Sequence, residues 1–485
     1  MPALRSTLLA LSWLALLDCR PRDRSAPDAQ PSVPHADAHA EDRLSTPDAG
    51  PAPSRGPVVC SIDGPDRALA VMPLTRLRIA AHGTEAMLVA EYTSSFAPEP
   101  AGDSVDTHAS RWWRFDLQNP SQSDTRRGRE DPIGERQSSD DPAHADPNTE
   151  PPTYMRWGED AERPVWADAQ WTRWRHASCW GGPACSPCGT VRARIGAPDA
   201  RNQRDEVTDV LQEFEVATIH GASIGAALVR RHDYTGPEDE EHNVCGESVA
   251  AIETLIPTTA GFTRREIKRW PAGEYTNAAS RIALASGPRE TVLAWLSGGS
   301  QREQQIELVR LDSAGRAIAA PRVVHSGRGI AFIALAFIAD QLALVWNERP
   351  NANTPAVLRW TRFDPRQSAP PPAPSILLDA SPRSIDEFSL GSDALTAALL
   401  WAEKPARGNG TTVHIAVATS FDQLSAHASQ RGIELARTTQ PGSVFATSVA
   451  VAGDRVWAAF NEPMRGYDTR PRARSLRCDE IPRDP

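Results

Sequence analysis

Gly221, Ser223 and Gly225 fall at Gly-x-Ser-x-Gly spacing directly after the strand-like run Glu213 to His220, the pattern of a nucleophile elbow. An elbow holds a serine hydroxyl on a strained strand-to-helix turn above a parallel sheet, where a His base steadied by an acid reaches it. Everything after Gly225 reads instead as antiparallel strands, which leaves no chain for the remaining strand and helix units. Ser223 is therefore expected not to be a nucleophile, and the small residues at 221–225 are expected to form a tight turn between two strands. The sequence assigns no catalytic residue.

Metal chemistry finds equally little support. Glu238 to His242, with Asp233 just before, offers clustered carboxylates of the kind Ca²⁺ takes, but without Asp-x-Asp-x-Asp-Gly spacing, and reads as a solvated acidic loop. His35, Asp37 and His39 stand in a Pro-rich stretch and read as part of a solvated linker. Cys185 and Cys188, with Cys179 nearby, have the spacing of a zinc site, yet no His follows at finger distance. No metal and no cofactor is expected. Trp157, Trp166, Trp171, Trp174 and Trp180, not far from Trp112 and Trp113, form an aromatic cluster. Such rings stack on sugars or fill the space between packed sheets.

Address and charge narrow the partners. Residues 1–18 carry Arg5 and then an apolar run, Leu8 to Leu17, broken only by Ser12. That is the layout of a secretory signal peptide, and it is too short to span a bilayer. The run ends at Leu16, Leu17, Asp18 and Cys19 and resembles the lipobox of bacterial lipoproteins. The resemblance implies lipidation of Cys19, although Asp18 departs from the small residue that pattern prefers. Residues 19–57 follow as a Pro-rich tether, with eight prolines between Arg20 and Pro57, a composition that cannot bury a core. The expected location is the cell envelope, as a membrane-anchored lipoprotein facing the periplasm or exterior, or secretion if Cys19 is not lipidated. The only membrane contact expected is the lipid itself. The 52 basic and 62 acidic residues are interspersed and leave a net charge of −10, which disfavours nucleic acid as a partner.

Positioning must come from the elements after Val58. Arg281 to Trp295, Ile333 to Trp346, Phe388 to Trp401 and Ser448 to Phe460 each read as a short strand, a turn with Gly or Asp, and a second strand carrying an aromatic. A third strand follows the aromatic, as at 306–311, 357–363 and 413–419, and a fourth runs at 317–324. Four antiparallel strands per unit make a propeller blade. The aromatics Trp295, Trp346, Trp401 and Phe460 lie 51, 55 and 59 residues apart. Residues 119–153, with six prolines and eight acidic residues, read as a disordered acidic insertion. Without it, residues 58–485 divide into seven units of about 56 residues. Counting back from Trp295 puts intermediate anchors near Trp171 to Trp180 and near Arg231, and a first one in Met87 to Tyr92. The fold class is all-β: a β-propeller with four antiparallel strands per blade and seven blades favoured, six or eight being the alternatives. The pair Asn347 and Glu348, echoed by Asn461 and Glu462, reads as a turn feature of this repeat.

The repeat resembles the β-propeller lipoproteins of bacterial envelopes, best over Arg281 to Glu480. Most of those lipoproteins have no assigned function; the analogy of fold together with the missing catalytic motifs leads to the expectation of a non-catalytic binding or interaction module recognising a glycan or protein partner at the propeller mouth. The alternative is a secreted hydrolase or lyase acting on glycans or esters. A propeller must join its first and last blades, so Cys60, in the first strand after the tether, and Cys478, in the last, are expected to form a disulfide. Cys179, Cys185, Cys188 and Cys245 would then pair among themselves, as befits an exported chain.

Overall fold

A computed structural model describes residues 56–69, 74–82, 84–96, 105–116, 154–157, 164–173, 189–196, 205–207, 210–219, 222–232, 248–258, 261–270, 279–298, 303–349, 351, 354–367, 369–393, 395–405, 409–439, 444, 446–464 and 469–481. The expected signal peptide, most of the tether, the insertion at 119–153, and Cys19, Cys179, Cys185, Cys188 and Cys245 lie outside these residues.

The strands form seven antiparallel sheets. After β1 (Val58–Ala68), blade 1 is β2 (Leu74–His82), β3 (Glu85–Phe96) and β4 (Val105–Asp116). Blade 2 is β5 (Tyr154–Trp157), β6 (Pro164–Arg173), β7 (Gly189–Gly196) and β8 (Asp205–Val207). Blade 3 is β9 (Val210–Ile219), β10 (Ala222–His232), β11 (Ser248–Thr258) and β12 (Gly261–Trp270). Blade 4 is β13 (Ala279–Ser286), β14 (Thr291–Ser297), β15 (Gln304–Leu311) and β16 (Arg322–Gly327). Blade 5 is β17 (Ile330–Ile338), β18 (Gln341–Glu348), β19 (Val357–Phe363) and β20 (Ser375–Leu378). Blade 6 is β21 (Ser384–Ser392), β22 (Ala397–Lys404), β23 (Thr411–Ala418) and β24 (Ile433–Thr438). Blade 7 is β25 (Thr447–Ala452), β26 (Arg455–Pro463) and β27 (Thr469–Glu480), with β1 as its fourth strand.

The first strand of each blade is innermost, and these strands touch in a closed circuit: β2 with β5, β5 with β9, and so on through β25, which returns to β2. This is a seven-bladed β-propeller closed by pairing the chain's first described strand with its last. β1 and β27 run antiparallel from Val58 opposite Glu480 to Ala68 opposite Arg472, and Cys60 stands opposite Cys478. The two are joined by a disulfide across a Cα separation of 4.0 Å.

The blades pack through apolar strands covered on both faces. β14 and β23 are buried at every position, because neighbouring blades sandwich the second and third strands of each sheet. The outer strand β16, by contrast, has no fully buried residue. Five hydrophobic clusters join blade 3 to 4, 4 to 5, 5 to 6, 6 to 7 and 7 to 1 among the described residues. Trp295, Trp346, Trp401 and Phe460 each lie in the cluster shared with the preceding blade. Those four anchors all sit on second strands, and Trp171 and Arg231, near the back-counted positions, lie on the second strands β6 and β10. Trp113 is buried in the cluster between blades 7 and 1, a packing role.

Two expectations need correction. Ser223 and Gly225 are not a turn: they lie inside β10, opposite Thr218 and Val216 of β9. The apolar run Ile224 to Leu228 needs cover on both faces and is drawn into the strand, so β10 already begins at Ala222. With antiparallel strands on both sides and β10 continuing to His232, Ser223 lacks the elbow's strand-turn-helix setting. A fluorophosphonate probe is therefore expected to leave Ser223 unlabelled, and labelling abolished by Ser223→Ala would contradict this placement. The second correction is a helix, α1 (Phe421–Ser429), between β23 and β24, where only strands were expected. Ser420 caps it by accepting from the Gln423 backbone N–H, and Phe421, Leu424 and Ala428 bury one face against blades 5 and 6. The capping Ser and the apolar spacing were the available signal.

Candidate functional site

Each blade runs from inner to outer strand in the same order. The connections between second and third strands, and those between blades, therefore share one face of the ring. On that face the anchors carry a repeated electrostatic arrangement. The Trp346 indole N–H donates to Glu348 at 3.4 Å, and that carboxylate pairs with Arg359 at 2.7 Å. The Trp401 indole donates to Glu403 at 3.1 Å, with Arg383 3.2 Å from the carboxylate. The Trp295 indole donates to Glu307 at 3.0 Å, from the facing position on β15, and Lys268 of blade 3 closes the set at 2.7 Å. In blade 7, Glu462 pairs with Arg472, whose guanidinium lies 5.7 Å from the Phe460 ring.

Asn347 and Glu348, and their echo Asn461 and Glu462, are thus not turn residues; they lie within the last three residues of the second strands β18 and β26. The Asn347 side-chain oxygen accepts from the backbone N–H groups of Ala331 and Phe332, and Asn461 accepts from Ala446. These amides lie at or just before the start of the inner strand, where the ladder leaves donors without a partner, and the Asn satisfies them.

Two histidines sit within these clusters. His325 of β16 lies against Trp346 with ring centroids 4.5 Å apart and the planes tilted by 33°, and His414 stacks on Trp401 at 5.3 Å. Burial lowers both imidazole pKa values, against the opposing pull of Glu348 and Glu403 respectively. The carboxylates here are bound into inter-blade packing and hold the blades in place.

The chemistry left for a ligand lies at the mouth of the central channel on this face. The inner strands of blades 1, 4, 5 and 6 break register near their starts, between Leu74 and Arg76, Ala279 and Arg281, Ile330 and Ile333, and Ile385 and Glu387. Such bulges re-aim side chains. In blades 4 and 5 they bring the Arg281 guanidinium to 5.2 Å from the centre of the Phe332 ring, both partly exposed. Arg328 and Arg349 are exposed on the same face. Gly329 keeps the approach to blade 5 tight: it has φ +70, its carbonyl accepts from the Arg349 N–H, and a Cβ there would strike the Arg349 backbone. The arrangement presents cations beside an aromatic face, suited to a polar ligand with a flat or ring-shaped apolar surface.

Of the other residues singled out in the sequence, Trp157, Trp166 and Trp171 lie on β5 and β6, while Trp174, Trp180, Asp233, residues 238–242, His35 and His39 fall outside the described residues. Among the described residues, no group of three or more His, Cys, Asp or Glu is placed to hold a metal ion. No described helix is long and apolar enough to cross a membrane. The Arg281 and Phe332 pair was not singled out in the sequence, because the bulges that bring it together leave no mark in composition.

No protein-family profile matches the sequence. An aminomethyltransferase of Cupriavidus pinatubonensis is 26% identical over 192 residues, which is 32% of this chain and 51% of that protein. This chain thus spans about half the length of the curated relative it matches. Similar solved structures include a Trypanosoma rangeli sialidase in complex with sialic acid, at TM-score 0.36 and 7% identity over 87% of this chain and 57% of that one. A second is the GH93 α-L-arabinofuranosidase of Fusarium graminearum with arabinobiose, at TM-score 0.32 and 10% identity over 55% and 93%. A prolyl endopeptidase is similar at TM-score 0.36 and 11% identity over 80% and 45%. Against the sialidase bound to the inhibitor DANA, the alignment covers 52% of that chain, about half its length. The propeller architecture of the present chain rests on its own sheet order and ring closure.

Proposed function

We propose that this chain is an exported binding module, anchored to the cell envelope through a lipid on Cys19, that takes a glycan at the channel mouth on the face of the second-to-third-strand loops. The observation that carries the reading is the bulged start of the inner strands, which sets Arg281 over Phe332 at the rim of a rigid, closed ring. A sugar ring offers hydroxyls to the guanidinium and an apolar face to the phenyl ring, so one site satisfies both parts of the ligand. The inter-blade cores fix these groups before the ligand arrives, which reduces the ordering cost of binding.

Binding of the full chain to a glycan array tests the site. Arg281→Ala is expected to weaken the strongest array hit by about tenfold, the worth of one good contact. Absence of any glycan binding, with capture of a folded protein partner instead, would replace the glycan by a protein ligand. Turnover of an array glycan would replace binding by hydrolysis. The anchor has a separate test: Cys19→Ala is expected to move the protein from the membrane fraction to the soluble fraction. Retention of the mutant on membranes in detergent-free extracts would reject the anchor.

A further inference from the structure

The connection from β19 to β20 in blade 5 runs through Pro370, Pro371, Pro372, Ala373 and Pro374. Proline locks φ near the polyproline II value, and a residue that precedes proline is kept out of the helical region. Every residue from Pro370 to Pro374 meets one of these conditions or both. Residue type alone therefore sets the run as a polyproline II segment, with about three residues per turn. Its exposure repeats with that period. Pro371 and Pro374 are partly buried and Leu377 is buried, while Pro370, Pro372, Ala373, Ser375 and Ile376 are exposed, Ile376 at 51%. One of the three faces thus lies on the blade, and the other two stand out as a ridge. Two blades hold it there. The Thr361 hydroxyl of β19 donates to the Pro372 carbonyl at 2.9 Å. Arg322, reaching across from the outer strand β16 of blade 4, donates to the carbonyls of Gln367 at 3.0 Å and Ala369 at 3.4 Å.

The partners of Arg322 are neutral carbonyls and the Phe363 ring, whose centre lies 5.1 Å from the guanidinium carbon. Among the described residues it forms no ion pair, and the positive field of Arg310 on it outweighs the negative field of Glu290. The end where the ridge begins therefore carries positive charge. We propose that this ridge is a docking site for a second protein whose groove is lined by Trp or Tyr rings and carries a carboxylate at the Arg322 end. Flat aromatic rings receive proline rings, and an indole N–H or phenol O–H can donate to the ridge carbonyls, among which proline supplies no competing N–H. A ridge already ordered by its own residues and pinned by two blades gives up little freedom on binding. The glycan reading is not needed for this. The β19 to β20 connection joins third and fourth strands, so it lies on the face of the ring opposite the second-to-third-strand loops.

The probe is the full-length chain with Ala373→p-benzoylphenylalanine, irradiated in extracts of the cells that make it. One protein adduct is expected, with the crosslink mapped by mass spectrometry to a peptide containing Trp or Tyr. An excess of a synthetic peptide of residues 367–376 is expected to suppress it. The captured protein is then purified and titrated with the full chain. Joint Pro370→Ala and Pro372→Ala substitution removes the outward rings and is expected to weaken binding by at least about tenfold. Pro371→Ala, on the blade side, is expected to weaken it far less. Binding is expected to fall as salt is raised, a dependence that Arg322→Lys keeps and Arg322→Gln loses. Unchanged thermal midpoints confirm that folded proteins are compared. Four results would overturn the proposal: no adduct, an adduct with a second copy of this chain, a crosslink to a surface without aromatic residues, or binding that salt leaves unchanged. If Pro371→Ala is as damaging as the outward pair, the run acts only through its packing on the blade, and the proposal fails in the same way.

Discussion

Replacing both Cys60 and Cys478 with Ser is expected to lower the stability of the propeller by about 4–5 kcal/mol, less than the roughly 6 kcal/mol that the chain-entropy model assigns to a sequence separation of 418 residues, because residual structure in the unfolded chain reduces such figures. The two cysteines are 418 residues apart in sequence, so their bond links the ends of nearly the whole folded chain. In its absence β1 is still held by its ladder to β27, by the Ile481 N–H donating to the Pro57 carbonyl at 2.8 Å, and by Asp66 paired with Arg472 and Arg474. The double mutant should therefore fold, with the same sheet content, but unfold at a lower urea midpoint. A loss well below about 1 kcal/mol at unchanged m-value would show that the ladder alone closes the ring. Non-reducing peptide mapping of the wild type supplies the chemical check. A crosslink from Cys60 to any of Cys179, Cys185, Cys188 or Cys245 would remove the basis for the prediction.

The propeller was legible in the sequence because its signal is periodic and doubled. Second strands covered by blades on both sides must be apolar throughout, as at Val292 to Leu296 and Leu342 to Trp346. In blades 4 to 7 one large aromatic on the second strand fills the space against the preceding blade, which sets the spacing that allowed the blades to be counted. Ring closure was legible for a topological reason, since only the two chain ends can supply the last blade's missing strand. The site was harder to find. The contact between Arg281 and Phe332 depends on two bulges in separate blades, and a bulge adds one residue without changing composition. Ser223 shows the reverse. Its flanking glycines imitate a motif, yet the apolar run that follows fixes it in an antiparallel strand.

Glu403→Ala is expected to be among the most damaging single substitutions in the C-terminal blades, costing about 3–5 kcal/mol, the usual consequence of removing one partner from a buried charge cluster. The Glu403 side chain is fully buried and accepts from the Trp401 indole at 3.1 Å, with Arg383 at 3.2 Å, Arg431 at 3.6 Å and His414 at 3.9 Å. In the alanine variant the two arginines, which are partly exposed, can turn to water, but the buried indole N–H and the imidazole cannot. Glu403→Gln keeps an acceptor for the indole and should cost less, so the difference between the two variants isolates the hydrogen bond from the charge. The same cluster sets a pH dependence. Burial is the main force on His414 and lowers its pKa, while Glu403 pulls the other way. A base with a depressed folded-state pKa takes up its proton first in the unfolded chain. Its neutral form therefore costs nothing above the unfolded value near 6.5, and stability falls as pH drops below it, by at most about 1.4 kcal/mol per pH unit for each such group. His325, also lowered by burial, acts in the same direction. His414→Gln should flatten the stability profile between about pH 6.5 and 5, above the range where ordinary carboxylates titrate, while the share of His325 remains. Urea midpoints measured across that window read the effect directly. A profile as steep in the variant as in the wild type would mean that His414 is already charged in the folded protein, with Glu403 prevailing over burial.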